Sequence, residues 1–464
     1  MAHRTAVINL VALGPAQLAC MPRLRGLMQQ GTSMRLAPPL PAVTCTSQAT
    51  MLTGAQATVH GIVGNGWHDR CTAETRFWQQ SSRLVQAPRV WDELARNDPA
   101  ISCANCFWWH AMYASTDVTV TPRPMYRADG RKIPDIWTQP TELRHAVQSK
   151  LGQFPLFKFW GPGADITSSR WIAQATAHVE QRFDPTLLLC YLPHLDYGLQ
   201  KYGPDDPRMV HECELIDEVA ADLIGKMMDR GRRVLVVNEY GIMPVTGSVA
   251  PNLALREAGA LSLRVEQGRE YLDAGASRAF VVPDHQIAHV YLRNQADAGR
   301  FTDRLMALDG VDRVLDDRGR RVAGLDHDRA GDLILVARQD RWFRHDWWTD
   351  PAAAPDWQRT VDIHRKPGYD PRELFLDPSI TFPKLKIGGR LLAKKLGLRT
   401  LMDVIPLDDS LVKGSHGRPD PEYDPILWSS TELPNATPRV QATAVRSLIE
   451  QLVLEDVPLS AKEA

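Results

Sequence analysis

Short runs of apolar residues alternate along the chain with longer stretches in which apolar positions recur every three or four residues. That alternation predicts buried parallel strands covered by amphipathic helices. The apolar run at 6–13 is halted by Gly14-Pro15, which predicts a first buried strand rather than a leader peptide. Residues 22–29 predict a helix, "ATMLTG" opens or continues a second, "RVWDELARN" forms a third, and "AISCANCFWW" supplies a strand. The clearest unit lies mid-chain: "TLLLCYL" (186–192), a loop, a helix through "ECELIDEVAADLIGKMMDRG", then "RRVLVV" (232–237). In that helix Leu215, Val219, Leu223 and Met227 recur at spacing four and Gly231 ends it, so the unit reads as a strand-helix-strand crossover. The expected fold class is α/β, with a mainly parallel central sheet sandwiched by helices.

Two stretches depart from this rhythm. "TPRPMYRADGRKIPDIWTQP" (121–140) is proline-rich and polar, and predicts a cap excursion within 107–165. The runs "AFVVPDHQIAHVYL", "VDRVLDD" and "DLILVARQD" predict a small inserted subdomain over 260–345. Both belong to one domain spanning 1–464, whose tail is expected to end in a helix and a frayed polar terminus.

Composition narrows the function classes. With 464 residues, 44% of them hydrophobic and 23% charged, the chain can bury a large core. A formal net charge of −1 leaves no global basic field, so a nucleic-acid partner is not indicated. No stretch approaches the about 18 uninterrupted apolar residues of a membrane span. Seven cysteines, with Cys103 and Cys106 forming one isolated CxxC, suit a reduced cytoplasmic protein.

In open parallel sheets, ligands bind beyond the carboxyl ends of strands, so polar residues just after apolar runs are the candidates. The strand at 186–192 is followed by His194, Asp196 and Gln200, and the strand at 232–237 by Glu239 and Tyr240. Late in the chain, "LVKGSHGRP" sets His416 between glycines, where backbone can approach a ligand. "PAVTCTSQATMLTG" (41–54) crowds hydroxyls and a thiol at a helix start; Thr44 is either a nucleophile or a cap for backbone amides. A helix N-terminus there would favour a bound phosphate in either case.

"PAVTCTSQATMLTG" followed by "HGIVGNGW" resembles the nucleophile segment of the alkaline phosphatase superfamily, most closely its nucleotide pyrophosphatase/phosphodiesterase branch. "LDYGLQKYGP", "RVLVVNEYGI" and "VKGSHG" are similar to the branch's later motifs, and the resemblance covers about 5–245 and 405–418. It implies an alkaline phosphatase-like core, Thr44 as nucleophile, and two divalent ions, usually zinc, that hold the alkoxide and clamp the phosphoryl oxygens. This chain departs from the implied ligand set. The first aspartate falls on Val11, a histidine falls on Gln200, and the Asp-His pair becomes Glu239-Tyr240, while Asp196 and His416 match. One ion site, of zinc, is therefore expected in preference to two. It would be held by Asp196 and His416 with Glu239, and filled out by His194 or His285, with His364 a further candidate.

Asn65, Gln200 and Lys413 are the expected substrate contacts, with Trp67 and Arg418 nearby in the motifs. His289, inside an apolar strand pattern, reads as structural, and the basic run 384–399 as a solvated helix face. Cys45 lacks the Cys-x-Pro-x-Arg context of the sulfatase branch. The resemblance implies a metal-dependent hydrolase of phosphodiester or pyrophosphate bonds acting on a phosphorylated small molecule, with nucleotide-linked ones among the candidates. The competing reading is a member of the same fold that has lost hydrolysis and binds a phosphorylated ligand or a partner protein.

Overall fold

The computed structural model describes residues 2–433 and 436–455. Its centre is a nine-stranded sheet, ordered from one edge Arg439–Gln441, Thr32–Ala37, Ile426–Ser429, Arg233–Val237, Thr5–Leu10, Leu187–Leu192, Cys103–Cys106, Val118–Pro122 and Ile136–Gln139. Only Ile426–Ser429 and Ile136–Gln139 run against their neighbours. The three middle strands, Arg233–Val237, Thr5–Leu10 and Leu187–Leu192, are buried along their whole length because helices cover both faces, which is why they read as continuous apolar runs. The mid-chain crossover uses the helices His194–Tyr202 and Arg208–Asp229. Val219, Leu223 and Met227 are buried and Leu215 packs at the margin of the same core. Gly231, at φ 75°, takes the left-handed position that releases the chain into the next strand.

The stretch 107–165 is only partly an excursion. Val118–Pro122 and Ile136–Gln139 extend the central sheet, and only the small hairpin of Met125–Tyr126 with Lys132–Ile133 stands between them. Fully buried Val and Thr in "VTVTP" explain the correction, since such residues suit a sheet more than a polar cap. Within 260–345, Ala279–Asp284, Ile287–Leu292, Leu333–Ala337 and Val311–Leu315 form a separate four-stranded antiparallel sheet. The helix Ala298–Met306 seals it with Phe301 and Leu305. A third apolar cluster, including Cys45, Ala49, Ile62, Val63 and Trp67 against Ile287, Ile334 and Val336, joins this sheet to the Thr44 segment. The terminal helix is Val445–Leu454, and the polar tail expected after it lies outside the described residues.

Candidate active site

Thr44 is the first residue of the helix Thr44–Thr53, all of whose residues are buried. Its hydroxyl caps nothing: Val43 occupies the cap position, and Thr44 Oγ1 lies 3.2 Å from the Tyr240 hydroxyl. The Tyr240 hydroxyl also donates to Asp196 Oδ1 at 3.2 Å, and Gln200 Nε2 donates to Asp196 Oδ2 at 2.7 Å. Glu239 follows its strand by two residues and points into the same centre. There its Oε1 accepts Asn9 Nδ2 at 2.7 Å and Gln48 Nε2 at 2.5 Å. Asn9 stands beside Tyr191 and Val237 in the sheet register, so these side chains share one face at the strands' carboxyl ends.

Four rings form a column across the centre. Tyr240 stacks on His416 with centroids 3.5 Å apart, His416 meets His285 at 3.6 Å, and His285 stacks on Tyr369 at 3.6 Å. The Tyr369 hydroxyl donates to Gln200 Oε1 at 2.8 Å. The column is thus tied at one end through Tyr240 and at the other through Tyr369 and Gln200 to the two oxygens of one carboxylate, Asp196. His416 donates Nδ1–H to the Ala42 carbonyl at 2.8 Å, which leaves Nε2 as a lone pair 3.7 Å from Asp196 Oδ1. His285 occupies the two-residue turn between Ala279–Asp284 and Ile287–Leu292 at φ 63°, a conformation costly for a residue with a side chain.

Burial governs the electrostatics. It pushes Asp196 and Glu239 up to about 7, with the Glu239 charge adding to the effect on Asp196 while hydrogen bonds oppose it on both. Asp284 is also pushed up to about 7 by burial, against two hydrogen bonds from Asn65. Burial lowers His416 to about 3 and His285 well below its usual value, so both rings are neutral. No lysine or arginine stands among the groups that act on these three carboxyls.

Several expected roles are redistributed. Val11 is buried beyond the end of the first strand, its amide bonded to Leu192 O, and Asn9 is the first-strand residue that reaches the centre. His194 turns away to Glu212, 2.9 Å from its carboxylate, and His364 is exposed beside the Phe77 carbonyl. His285 reaches the centre as a stacked ring whose Nε2 is 3.9 Å from Asp284. Asn65 spends its amide on the scaffold, accepting from the Cys45 amide at 3.0 Å and donating to Asp284 at 3.0 Å. Lys413 is exposed, and only its backbone is tied to Gln200. His289 is structural, as expected, bridging Val63 O and the Gly331 amide. Asn9, Gln48 and Tyr369 reach the same centre without any motif assigning them a role.

These residues do not fit a divalent ion. Both Asp196 oxygens and Glu239 Oε1 already accept hydrogen bonds, and the Gln200 oxygen is taken by Tyr369; Glu239 Oε2, His416 Nε2 and His285 Nδ1 are buried without a partner but form no three-ligand group. Among the described residues, no three His, Cys, Asp or Glu side chains converge to hold a metal. The single ion site expected from Asp196, His416, Glu239, His194 and His285 is therefore not assembled. Also among the described residues, no helix is long and apolar enough to cross a membrane.

Comparison with known proteins places this geometry. An uncharacterized pyrophosphatase/phosphodiesterase of Schizosaccharomyces pombe is 20% identical over 215 residues, which are 46% of this chain and 38% of that protein. The chain thus spans well under half the length of that relative. Phosphonoacetate hydrolase from Sinorhizobium meliloti 1021, in complex with phosphonoformate, has a TM-score of 0.60 at 16% identity, covering 96% of this chain and 94% of that one. Murine ectonucleotide pyrophosphatase/phosphodiesterase 5, an inactive variant in complex with AMP, has a TM-score of 0.58 at 12% identity, covering 99% and 97%. At these identities the solved structures establish the shared alkaline phosphatase-like fold. Residues 5–370 match the type I phosphodiesterase/nucleotide pyrophosphatase family, whose enzymes are generally divalent-metal dependent. The chain belongs to that family of hydrolases, within the alkaline phosphatase superfamily.

Proposed function

We propose that this protein is a phosphodiesterase/pyrophosphatase-type hydrolase of a phosphorylated small molecule, with Thr44 as its nucleophile. The observation that carries the reading is the chain of contacts Thr44 Oγ1–Tyr240 hydroxyl–Asp196 Oδ1, with 3.2 Å at each step, set at a helix start beyond the sheet's carboxyl edge. Attack by Thr44 on phosphorus releases the hydroxyl proton. Tyr240 can accept it while passing its own to Asp196, whose raised pKa suits it to hold a proton near neutrality. The leaving group departs with the bonding pair, and water then cleaves the phosphothreonine. Carboxyls that titrate near pH 7 also lessen the negative charge an incoming phosphate group meets. That the solved relatives were bound to phosphonoformate and to AMP supports a phosphorylated or phosphonate-like ligand. The largely buried cysteines, none paired among the described residues, support a reducing, cytoplasmic setting.

The second reading is a protein that binds such a ligand without turnover. The hydrogen bonds that occupy Asp196 and Glu239 favour it, since they stabilise the centre as it stands. Thr44→Ala decides between them. Hydrolysis of a nitrophenyl nucleotide diester should fall by about a thousandfold or more while the circular dichroism spectrum is kept. Equal turnover in wild type and variant would remove Thr44 from the chemistry, and none in either would favour binding alone.

A further inference from the structure

Three of the four carboxylate oxygens of Asp196 and Glu239 are met by side-chain donors, while Glu239 Oε2 and His416 Nε2 are buried without a partner. Two side-chain amides, Asn9 and Gln48, converge on one oxygen of Glu239, and a phenol and an amide each take one oxygen of Asp196. His416 is covered on its two faces by Tyr240 and His285. Tyr240 is long enough to touch both Thr44 and Asp196, so one hydroxyl links the nucleophile to the carboxylate. We propose that this centre is a hydrogen-bonded replacement for the family's metal centre and takes no divalent ion, the donors of Asn9, Gln48, Tyr240 and Gln200 occupying three of the four carboxylate oxygens that ions would otherwise meet. It concerns the same centre as the proposed hydrolysis, and metal uptake and turnover are therefore read separately.

The test uses full-length protein purified without a metal-binding tag and stripped with EDTA, titrated calorimetrically with zinc chloride and manganese chloride while its melting temperature is followed. No saturable uptake and no shift in melting are expected. The combined substitution Asn9→Asp, Gln200→His, Glu239→Asp and Tyr240→His should gain saturable zinc uptake. Uptake near one equivalent by the wild type, lost in Asp196→Asn, overturns the proposal whether or not the combined variant folds. Turnover that disappears in EDTA and returns with zinc overturns it too. A wild type that binds no ion and hydrolyses nothing supports the metal-free centre and defeats the proposed hydrolysis.

A second, independent observation concerns the helix Pro383–Lys395, none of whose residues is buried. Phe382, Leu385, Leu392 and Leu396 are 69%, 75%, 59% and 72% exposed, and their spacing puts them on one face. Lys384, Lys395 and Arg399 are exposed along the same segment, and no acidic residue occurs between Asp377 and Asp403. On the other side Lys386 and Arg390 are bound to Asp403, which fixes the helix with its apolar stripe outward. An apolar face flanked by cations matches the headgroup boundary of an anionic bilayer. We infer that this helix docks the protein on an anionic lipid surface, lying in the interface without crossing it.

Sedimentation with vesicles of phosphatidylglycerol and phosphatidylcholine tests this. The protein should co-sediment with mixed vesicles at low salt and be released by salt or by pure phosphatidylcholine. Leu385→Ser with Leu392→Ser and Leu396→Ser should weaken binding about tenfold or more. All these side chains are exposed, so folding is not at stake. Absence of sedimentation, or equal sedimentation with neutral vesicles, overturns the inference. Concentration-dependent dimerisation abolished by the same triple substitution would instead assign the face to a second copy of the chain.

Discussion

Among the described residues, two clusters of buried acids contrast, one with cations and one without. Around Arg372, Asp346 accepts both terminal nitrogens at 2.7 and 2.9 Å, Asp370 accepts Nε at 2.7 Å, and Lys366 lies 2.9 Å from both Asp370 and Glu373. Burial there favours the neutral acids, but Arg372 outweighs it on Asp346, and Arg372 with Lys366 outweighs it on Asp370, so both stay below the usual carboxylate range. Around Thr44, Asp196, Glu239 and Asp284 are also buried but meet amides, hydroxyls and neutral imidazoles, and all three rise to about 7. The same desolvation is therefore overcome at Asp346 and Asp370, which Arg372 contacts directly, still raises Glu373, which among the cations only Lys366 faces, and gives proton-exchanging groups around Thr44. The partner, rather than the burial, decides the outcome.

The contrast can be broken most forcefully at its charged pole. Arg372→Met strands Asp346 and Asp370 without their cation and should cost about 3–5 kcal/mol in urea unfolding at pH 7. A loss under about 1 kcal/mol would mean that the cluster is not held by its charges.

Next comes Glu239→Gln, which keeps the oxygen that accepts from Asn9 and Gln48 and places an amide at the other. Because folding raises the Glu239 pKa from 4.5 to about 7, its contribution to stability is fully present below about pH 4.5 and is lost as pH rises through 7. The glutamine should remove a pH-dependent penalty on the order of 3 kcal/mol at pH 8 and leave stability near pH 4 little changed. The opposite sign holds for Asp346 and Asp370, whose stabilisation is lost only as pH falls below about 4. Paired unfolding curves for the glutamine variant and wild type at pH 4 and 8 check the first claim, and parallel curves would sink it.

Tyr240→Phe deletes the donor to Asp196 Oδ1 and should cost about 1–2 kcal/mol in the same assay. His285→Gly is the mildest. Relief of its left-handed backbone, worth about 1 kcal/mol, offsets the lost stacking of about 0.5–1.5 kcal/mol, so stability should change by less than about 1 kcal/mol. A larger loss would show that the ring column holds the subdomain in place.

The central strands, the crossover and the inserted sheet were legible because continuous burial and helical spacing are local signals. Thr44 was legible through its motif, and its surroundings were less so. Asn9 is a lone amide in the apolar run "TAVINL", a buried polar group that had to find a partner, and that was the available clue. Gln48 lies four residues after Thr44 on the same helix face, a spacing that permits convergence without naming what is met. Tyr369 joins from a loop more than a hundred residues from Gln200, and nothing local signals such a contact. Adjacency to Asp196 along the chain does not fix the direction of His194: two positions earlier on the same helix, it faces Glu212 instead. The cap at 107–165 was drawn too wide because the proline-rich hairpin masked the sheet strands on either side.

Ile426–Ser429 occupies an interior position in the central sheet, between Arg233–Val237 and Thr32–Ala37, although it is among the last strands in the sequence. During synthesis, Thr32–Ala37 must wait while residues 38–425 are made before this pairing partner leaves the ribosome. His416 arrives only just ahead of that strand. The Thr44 segment is therefore made early and its surroundings are finished late, so a nascent chain gains the last site residue and the strand that closes the sheet in close succession.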